Sequence, residues 1–174
     1  MKRLLVLLAC LPLTALAHGP TPQKIDEAVD IHAPAAKVWE TVGDFGGLDR
    51  WNPAVKKIEL QGGNMAGSSR TLTFENGQSV TENLDAFDDA QREYRYRLAK
   101  ENLEALPVSS YSATLRVTPI DEANSKVTWI GRAYRGDTSN EPPEKLSDEA
   151  AQTALRRLFR SGLDQLKQQL ETGQ

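Results

Sequence analysis

Cysteine is almost missing: Cys10 is the one copy in 174 residues, and it sits inside the first apolar run. A chain that loses that run has no disulfide to staple it and must hold its fold by packing alone. Histidine is nearly as scarce, with His18 and His32 the two copies, so no histidine cluster with metal-ligand spacing exists. There is no Gly-rich phosphate loop, no His-x-x-x-His and no serine framed as a nucleophile elbow, which removes the commonest catalytic arrangements. Neither a metal nor a cofactor is expected. Long apolar runs are absent after Ala17, and a membrane-spanning helix needs about 20 apolar residues. Repeats and low-complexity stretches are missing too.

The first residues carry the order of a secretory signal. Lys2 and Arg3 supply the positive start, Leu4 to Leu13 the apolar stretch, and Ala15-Leu16-Ala17 an A-x-A cut site before polar His18. Pro12 interrupts the run, which is too short to span a bilayer. Leu7-Leu8-Ala9-Cys10 loosely resembles a lipobox, but apolar sequence continues after Cys10 where a polar tether belongs. The expectation is a periplasmic protein cut after Ala17, with 1–17 as signal peptide and 18–174 as a single domain. Cleavage takes two of the 21 basic residues and none of the 24 acidic ones, leaving a net charge of −5. Such a domain is a poor binder of nucleic acid or anionic lipid, which need clustered Lys and Arg.

Along the remaining chain, Ile25, Glu27, Val29 and Ile31 alternate with polar neighbours, the period of a half-buried strand. Pro34 suits the start of a helix, and Val38, Trp39, Val42 and Phe45 recur at helical spacing. Gly46-Gly47 ends it, and a second short helical turn is expected from Leu48, finishing at Trp51-Asn52-Pro53. Strand patterns then follow one another to Tyr134, separated by Gly62-Gly63-Asn64, Asn76-Gly77, Asp88-Asp89, Pro107 and Asp121 to Ser125. Ser147 makes an N-cap with Asp148 and Glu149 in the first turn. The residues Ala151, Ala154, Leu155, Leu158, Phe159, Leu163, Leu166 and Leu170 form one apolar stripe. The pattern predicts an α+β domain in which a curved antiparallel sheet of about seven strands wraps a long C-terminal helix, because that stripe needs an apolar face to bury.

A register follows from parity. A two-residue loop at Asn76-Gly77 would set Leu72 and Phe74 on the face opposite Val80 and Leu84, so an odd-length loop is required. With Asn76 to Gln78 as the loop, Phe74 pairs with Val80, Leu72 with Glu82 and Arg70 with Leu84. Arg70 and Glu82 then point inward, diagonal to each other. An inward carboxylate must be paired or protonated, and Arg70 is its partner. Tyr94, Tyr96 and Tyr111 share the inward parity, each with a hydroxyl to satisfy. Arg70, Leu72, Phe74, Glu82, Leu84 and these three tyrosines, with Trp129, Leu155 and Phe159, define an expected ligand pocket of eleven residues. Two readings of the ion pair stand, one structural and one functional. Trp39 and Trp51 read as anchors of the short helices, and Asp44 as a local cap or ion-pair partner. His18, as a mature N-terminus, has the groups for copper chelation but no second ligand cluster. Arg156, Arg157 and Arg160 place basic charge on the last helix.

The element order, with Ala33-Pro34, Val38-Trp39, Asp44-Phe45, Trp51-Asn52-Pro53, Arg70-x-Leu72, Glu82-x-Leu84, Tyr94-x-Tyr96, Pro107, Tyr111 and Trp129, resembles the START/Bet v 1-like superfamily, in its polyketide cyclase/dehydrase and lipid-transport group. That resemblance implies a helix-grip fold. The signal peptide and the start His18 to Lys24 further resemble the MxaD-like periplasmic accessory proteins of methanol oxidation. What this implies is a non-catalytic protein assisting a quinoprotein dehydrogenase and its cytochrome c acceptor. A carrier of a small apolar ligand is the alternative, and an acid/base enzyme using Glu82 and Tyr96 a second.

Overall fold

The computed structural model describes residues 20–173; the leader, its cut site and His18 lie outside the described residues. Strand β1 (Gln23–Ile31) buries Ile25 and Ile31 and leads through Pro34 into helix α1 (Ala35–Val42), which buries Val38, Trp39 and Val42. Strands β2 (Val55–Gln61), β3 (Ser69–Phe74), β4 (Ser79–Asp88), β5 (Glu93–Lys100), β6 (Val108–Pro119) and β7 (Ser125–Arg135) follow, and helix α2 (Asp148–Thr172) closes the chain. All pairings are antiparallel, in the order β1-β7-β6-β5-β4-β3-β2. This is the expected helix-grip architecture: β2 to β7 form a meander, and β1 returns to pair with β7.

The second short helix forms as one turn of 3₁₀ helix at Leu48–Arg50, and the residues that follow it go into packing. Trp51 is buried, and Asn52, fully buried, accepts from Ala54 N at 3.1 Å through Oδ1 and donates to the Leu158 carbonyl of α2 at 3.0 Å. Gly162 makes this possible: a Cβ there would lie 2.8 Å from Asn52 Nδ2 and 2.9 Å from the Trp51 ring. The linker is stitched to the long helix through a notch that one glycine leaves open.

The hairpin between β3 and β4 also differs from expectation. Its loop has the expected odd length but comprises residues 75–77, one position earlier, with Gly77 N donating to Phe74 O and Phe74 N to Gln78 O, each at 2.9 Å. Gly77 takes φ +77°, the left-handed conformation that closes a three-residue hairpin loop. Leu72 therefore faces Val80, and Arg70 faces Glu82 directly rather than diagonally. Two irregularities in the β4–β5 pairing, with Ala99 of β5 extra at Thr81/Glu82 and Asp85 of β4 extra at Leu84/Ala86, bend the sheet. The second changes parity, so that Phe87 turns inward to lie 5.6 Å from the Trp39 ring.

Helix α2 is capped at both ends, by the Ser147 hydroxyl accepting from Ala150 N and by left-handed Gly173. Its buried stripe packs chiefly against β1 and β7. The Phe159 ring sits on Gly131, where a Cβ would come within 3.1 Å. Among the described residues no helix is long and apolar enough to cross a membrane.

Candidate functional site

The directly opposed pair is the centre of the interior. Arg70, fully buried, donates from Nε to Glu82 Oε2 at 2.6 Å and from Nη1 to the Phe45 carbonyl at 2.7 Å. The Tyr111 hydroxyl donates to the other Glu82 oxygen. The guanidinium lies over the Phe45 ring at 4.1 Å and the Tyr96 ring at 4.9 Å, favourable positions for a cation on a π face. Trp129 Nε1 donates to the Tyr96 hydroxyl at 2.8 Å, and the Trp129 ring stacks on Phe159 at 4.2 Å. The chain of contacts thus runs from β3 and β4 across β5, β6 and β7 to α2.

All eleven residues expected to line a pocket fall on this inner face, none more than 8% exposed. The polar and aromatic ones contact one another: Arg70 meets Glu82 and Tyr96, Glu82 meets Tyr111, Tyr96 meets Tyr94 and Trp129, and Trp129 meets Phe159. Glu82 is bonded to Arg70 and Tyr111 rather than to Tyr96, the tyrosine expected to share acid/base chemistry with it. Trp39 and Trp51 are buried anchors, the former donating to Asp89 at 2.7 Å. Asp44 caps Gly46 N and pairs with Arg50, the local role expected of it.

The electrostatics follow from burial. Desolvation opposes the charge on Arg70, but the Glu82 carboxylate, with Tyr94 and Tyr96, outweighs it, and the guanidinium is held above its usual range. Burial pushes the Tyr94 phenol up to about 12 despite the adjacent Arg70 charge. Tyr96 and Tyr111 are raised well above 10, first by burial and then by the nearby Glu82 carboxylate. Among the described residues, Arg70 Nη2, the Tyr94 hydroxyl and Trp51 Nε1 are buried without a hydrogen-bond partner.

The open space lies elsewhere. A groove of about 680 Å³ runs between the β3–β4 hairpin, the segment before β6 and the N-terminal half of α2. Ala54, Phe74, Leu106, Ala154 and Leu158 give it an apolar floor, and Arg157 stands at its rim. Of the pocket residues expected from sequence, Phe74 alone reaches it. Sequence reasoning passed over Ala105 and Leu106 because Pro107 marked a turn. The segment is bound instead to the hairpin by Asn76 Nδ2 donating to Glu104 O at 3.1 Å and Asn102 Nδ2 to Gln78 Oε1 at 3.0 Å. The apolar pair beside Pro107 was the available signal.

A curved sheet gripping one long helix over a sealed polar core defines a helix-grip domain. The chain belongs to the polyketide cyclase / dehydrase and lipid transport family, whose model matches residues 22–171. It is similar to the protein XoxI from Bacillus cereus, at 26% identity over 84% of this chain and 94% of that one, with a TM-score of 0.71. A protein from Thermobifida fusca is also 26% identical, over 84% of this chain and 92% of that one, with a TM-score of 0.68. The Zhui aromatase/cyclase from Streptomyces sp. R1128 shares the fold, at 20% identity over 87% and 94% of the two chains and a TM-score of 0.67. No curated protein matches the chain.

Two outcomes test this account of the interior. Glu82→Gln leaves the Arg70 charge uncompensated and should destabilise the domain by about 3–5 kcal/mol, whereas an Arg70→Met/Glu82→Leu double variant should recover most of that loss. Urea unfolding of the three proteins decides it, and a silent Glu82→Gln would contradict the assignment. The tyrosines set the alkaline limit. Below pH 10 both folded and unfolded states keep the phenolic protons; above it the unfolded chain loses protons that the folded chain retains. Stability should therefore fall from about pH 10 upward, by as much as about 4 kcal/mol per pH unit for three such groups together. In a Tyr134→Phe variant, which removes the one exposed tyrosine of the four, absorbance near 295 nm should show Tyr94, Tyr96 and Tyr111 ionising only as the chain unfolds. Ionisation ahead of unfolding would mean that they are not sealed.

Proposed function

We propose that this protein acts by binding rather than by turning over a substrate, as a periplasmic accessory protein that helps a quinoprotein, methanol-type dehydrogenase pass electrons to its cytochrome c acceptor. The observation that carries the non-catalytic part is the sealing of the interior. A general acid or base must come within about 2.6–3.2 Å of its substrate, yet Glu82, Tyr96 and Tyr111 are at most 4% exposed. Each of the three is already engaged with a neighbouring side chain. The partner part is supported by the resemblance of residues 18–24 and the leader to MxaD-like proteins, and by the likeness to XoxI. Export belongs to the same reading, with the working chain beginning at His18.

The test uses protein recovered from the periplasmic fraction, whose mass should be that of a chain starting at His18. Added at low ionic strength to a purified quinoprotein methanol dehydrogenase and cytochrome c, it should speed cytochrome reduction. A full-length mass would overturn export, and an unchanged rate at every salt concentration would overturn the accessory role.

The groove favours a second reading, carriage of a small apolar ligand. Its volume of about 680 Å³ suits a small molecule, since ligand pockets span roughly 300–1,000 Å³. Ala154→Trp should then abolish binding of a fatty-acid probe without loss of fold; equal binding by variant and wild type would remove this reading.

A further inference from the structure

The outer face of the sheet carries charge opposite to the rest of the chain. The protein as a whole is net negative, at −3. Yet Lys24, Arg95, Arg97, Arg116, Lys126 and Arg132 all stand exposed on the outward side of β1, β5, β6 and β7. Four of these are neutralised on the same face, Arg97 by Asp85, Arg116 by Glu93, Lys24 by Asp26 and Lys126 by Asp30. Among the described residues, Arg95 and Arg132 have no carboxylate within ion-pair distance, although both flank an open trough of about 430 Å³. Asp85, neutralised by Arg97, lines the same trough with Ser112, Thr114 and Ile130, and the trough adjoins a second of about 350 Å³ that shares Arg95, Thr114 and Ile130 and includes the paired Glu93 and Arg116.

The register shows why these two arginines act together. Arg95 faces Thr114, which faces Ile130, and Arg132 faces Ser112, so short side chains of β6 lie between two long ones. Two strands apart and two residues offset, the arginine Cα atoms are about 12 Å from each other, a span that two extended side chains can close over one group. An exposed guanidinium without a partner is best matched by a planar carboxylate that takes two hydrogen bonds.

We propose that this face, centred on Arg95 and Arg132, is a docking surface for an acidic segment of a partner protein, whose Asp or Glu side chains enter the trough. The proposal rests on the reading that the protein works by binding partners, and it names the surface. A protein fits better than an anionic membrane. Lipid surfaces are recognised by uninterrupted basic clusters, whereas here Asp26, Asp85 and Glu93 interleave with the basic residues, and the acidic remainder of the chain is repelled by a broad negative surface.

The test titrates ¹⁵N-labelled protein with a poly-glutamate peptide of about eight residues at about 50 and 300 mM salt. Amide shifts should concentrate at Ser112, Thr114, Ile130 and Arg132. Affinity should fall about ten-fold or more at the higher salt and by a similar factor in Arg95→Glu/Arg132→Glu. Shifts confined to α2 near Arg156, Arg157 and Arg160, or unchanged affinity in the double variant, would overturn the proposal. So would phosphatidylglycerol vesicles binding as tightly as the peptide through the same arginines, which would assign the face to membranes. Shifts at these amides that grow with protein concentration alone and vanish in the double variant would assign it to a second copy. Should Arg95→Glu/Arg132→Glu misfold, Arg95→Gln/Arg132→Gln carries the same comparison. Failure here leaves the cytochrome-reduction result untouched, and failure of that assay leaves the peptide result standing, so the two ideas fall separately.

Discussion

Stripping a guanidinium of water costs several kcal/mol even after a protein relaxes around it, and Arg70 has no exposed surface at all. The surrounding fold can be understood as compensation for that one charge. Glu82 meets it across the β3–β4 ladder, the Phe45 carbonyl takes a second donor, and the rings of Phe45 and Tyr96 cover its faces. Glu82 in turn needs a donor on its other oxygen, which fixes Tyr111 of β6. Tyr96 accepts from Trp129, and Trp129 seats Phe159 of the long helix. The grip of sheet on helix is thus continuous with the solvation of a single cation by protein groups.

On our proposal that the protein works by binding, that arrangement moves function outward. A helix-grip interior used for chemistry needs a titratable group that a substrate can reach, and here Glu82, Tyr96 and Tyr111 are buried and bonded to neighbouring side chains. Among the described residues the accessible features include an apolar groove at one end of α2, with Arg157 at its rim, and a charged outer sheet face on which Arg95 and Arg132 have no carboxylate within ion-pair distance. Under that proposal both are recognition features, and they lie on different surfaces, so one ligand need not exclude the other.

Much of the fold was legible from residues. Strand parity, the Ser147 cap and the apolar stripe of α2 are local signals whose outcome tertiary packing reinforced, and the inward parity of Arg70, Glu82 and the three tyrosines followed from alternation alone. The departures have local causes that periodicity does not encode. A one-residue displacement of the hairpin loop turned a diagonal pair into a direct one, because left-handed Gly77 takes the last loop position. The parity change in β4 brought Phe87 inward, since an irregularity adds a residue without a composition cue. Asn52 looked like turn punctuation and proved to be a buried strut, legible only once Gly162 is placed beside it. The groove was hidden because its walls come from segments far apart in sequence, joined by side-chain amides of Asn76 and Asn102.

The claim on which everything else rests is that the Arg70–Glu82–Tyr111 cluster stays closed to solvent in the native protein. Exchange of the Arg70 Nε proton, followed by NMR under native conditions, measures this directly. The account predicts a resolved resonance whose exchange requires global unfolding and slows in step with added stability. Exchange on a millisecond scale while the backbone of β3 and β4 remains protected would show that the interior opens by itself, and would return the cluster to the list of groups a substrate can meet.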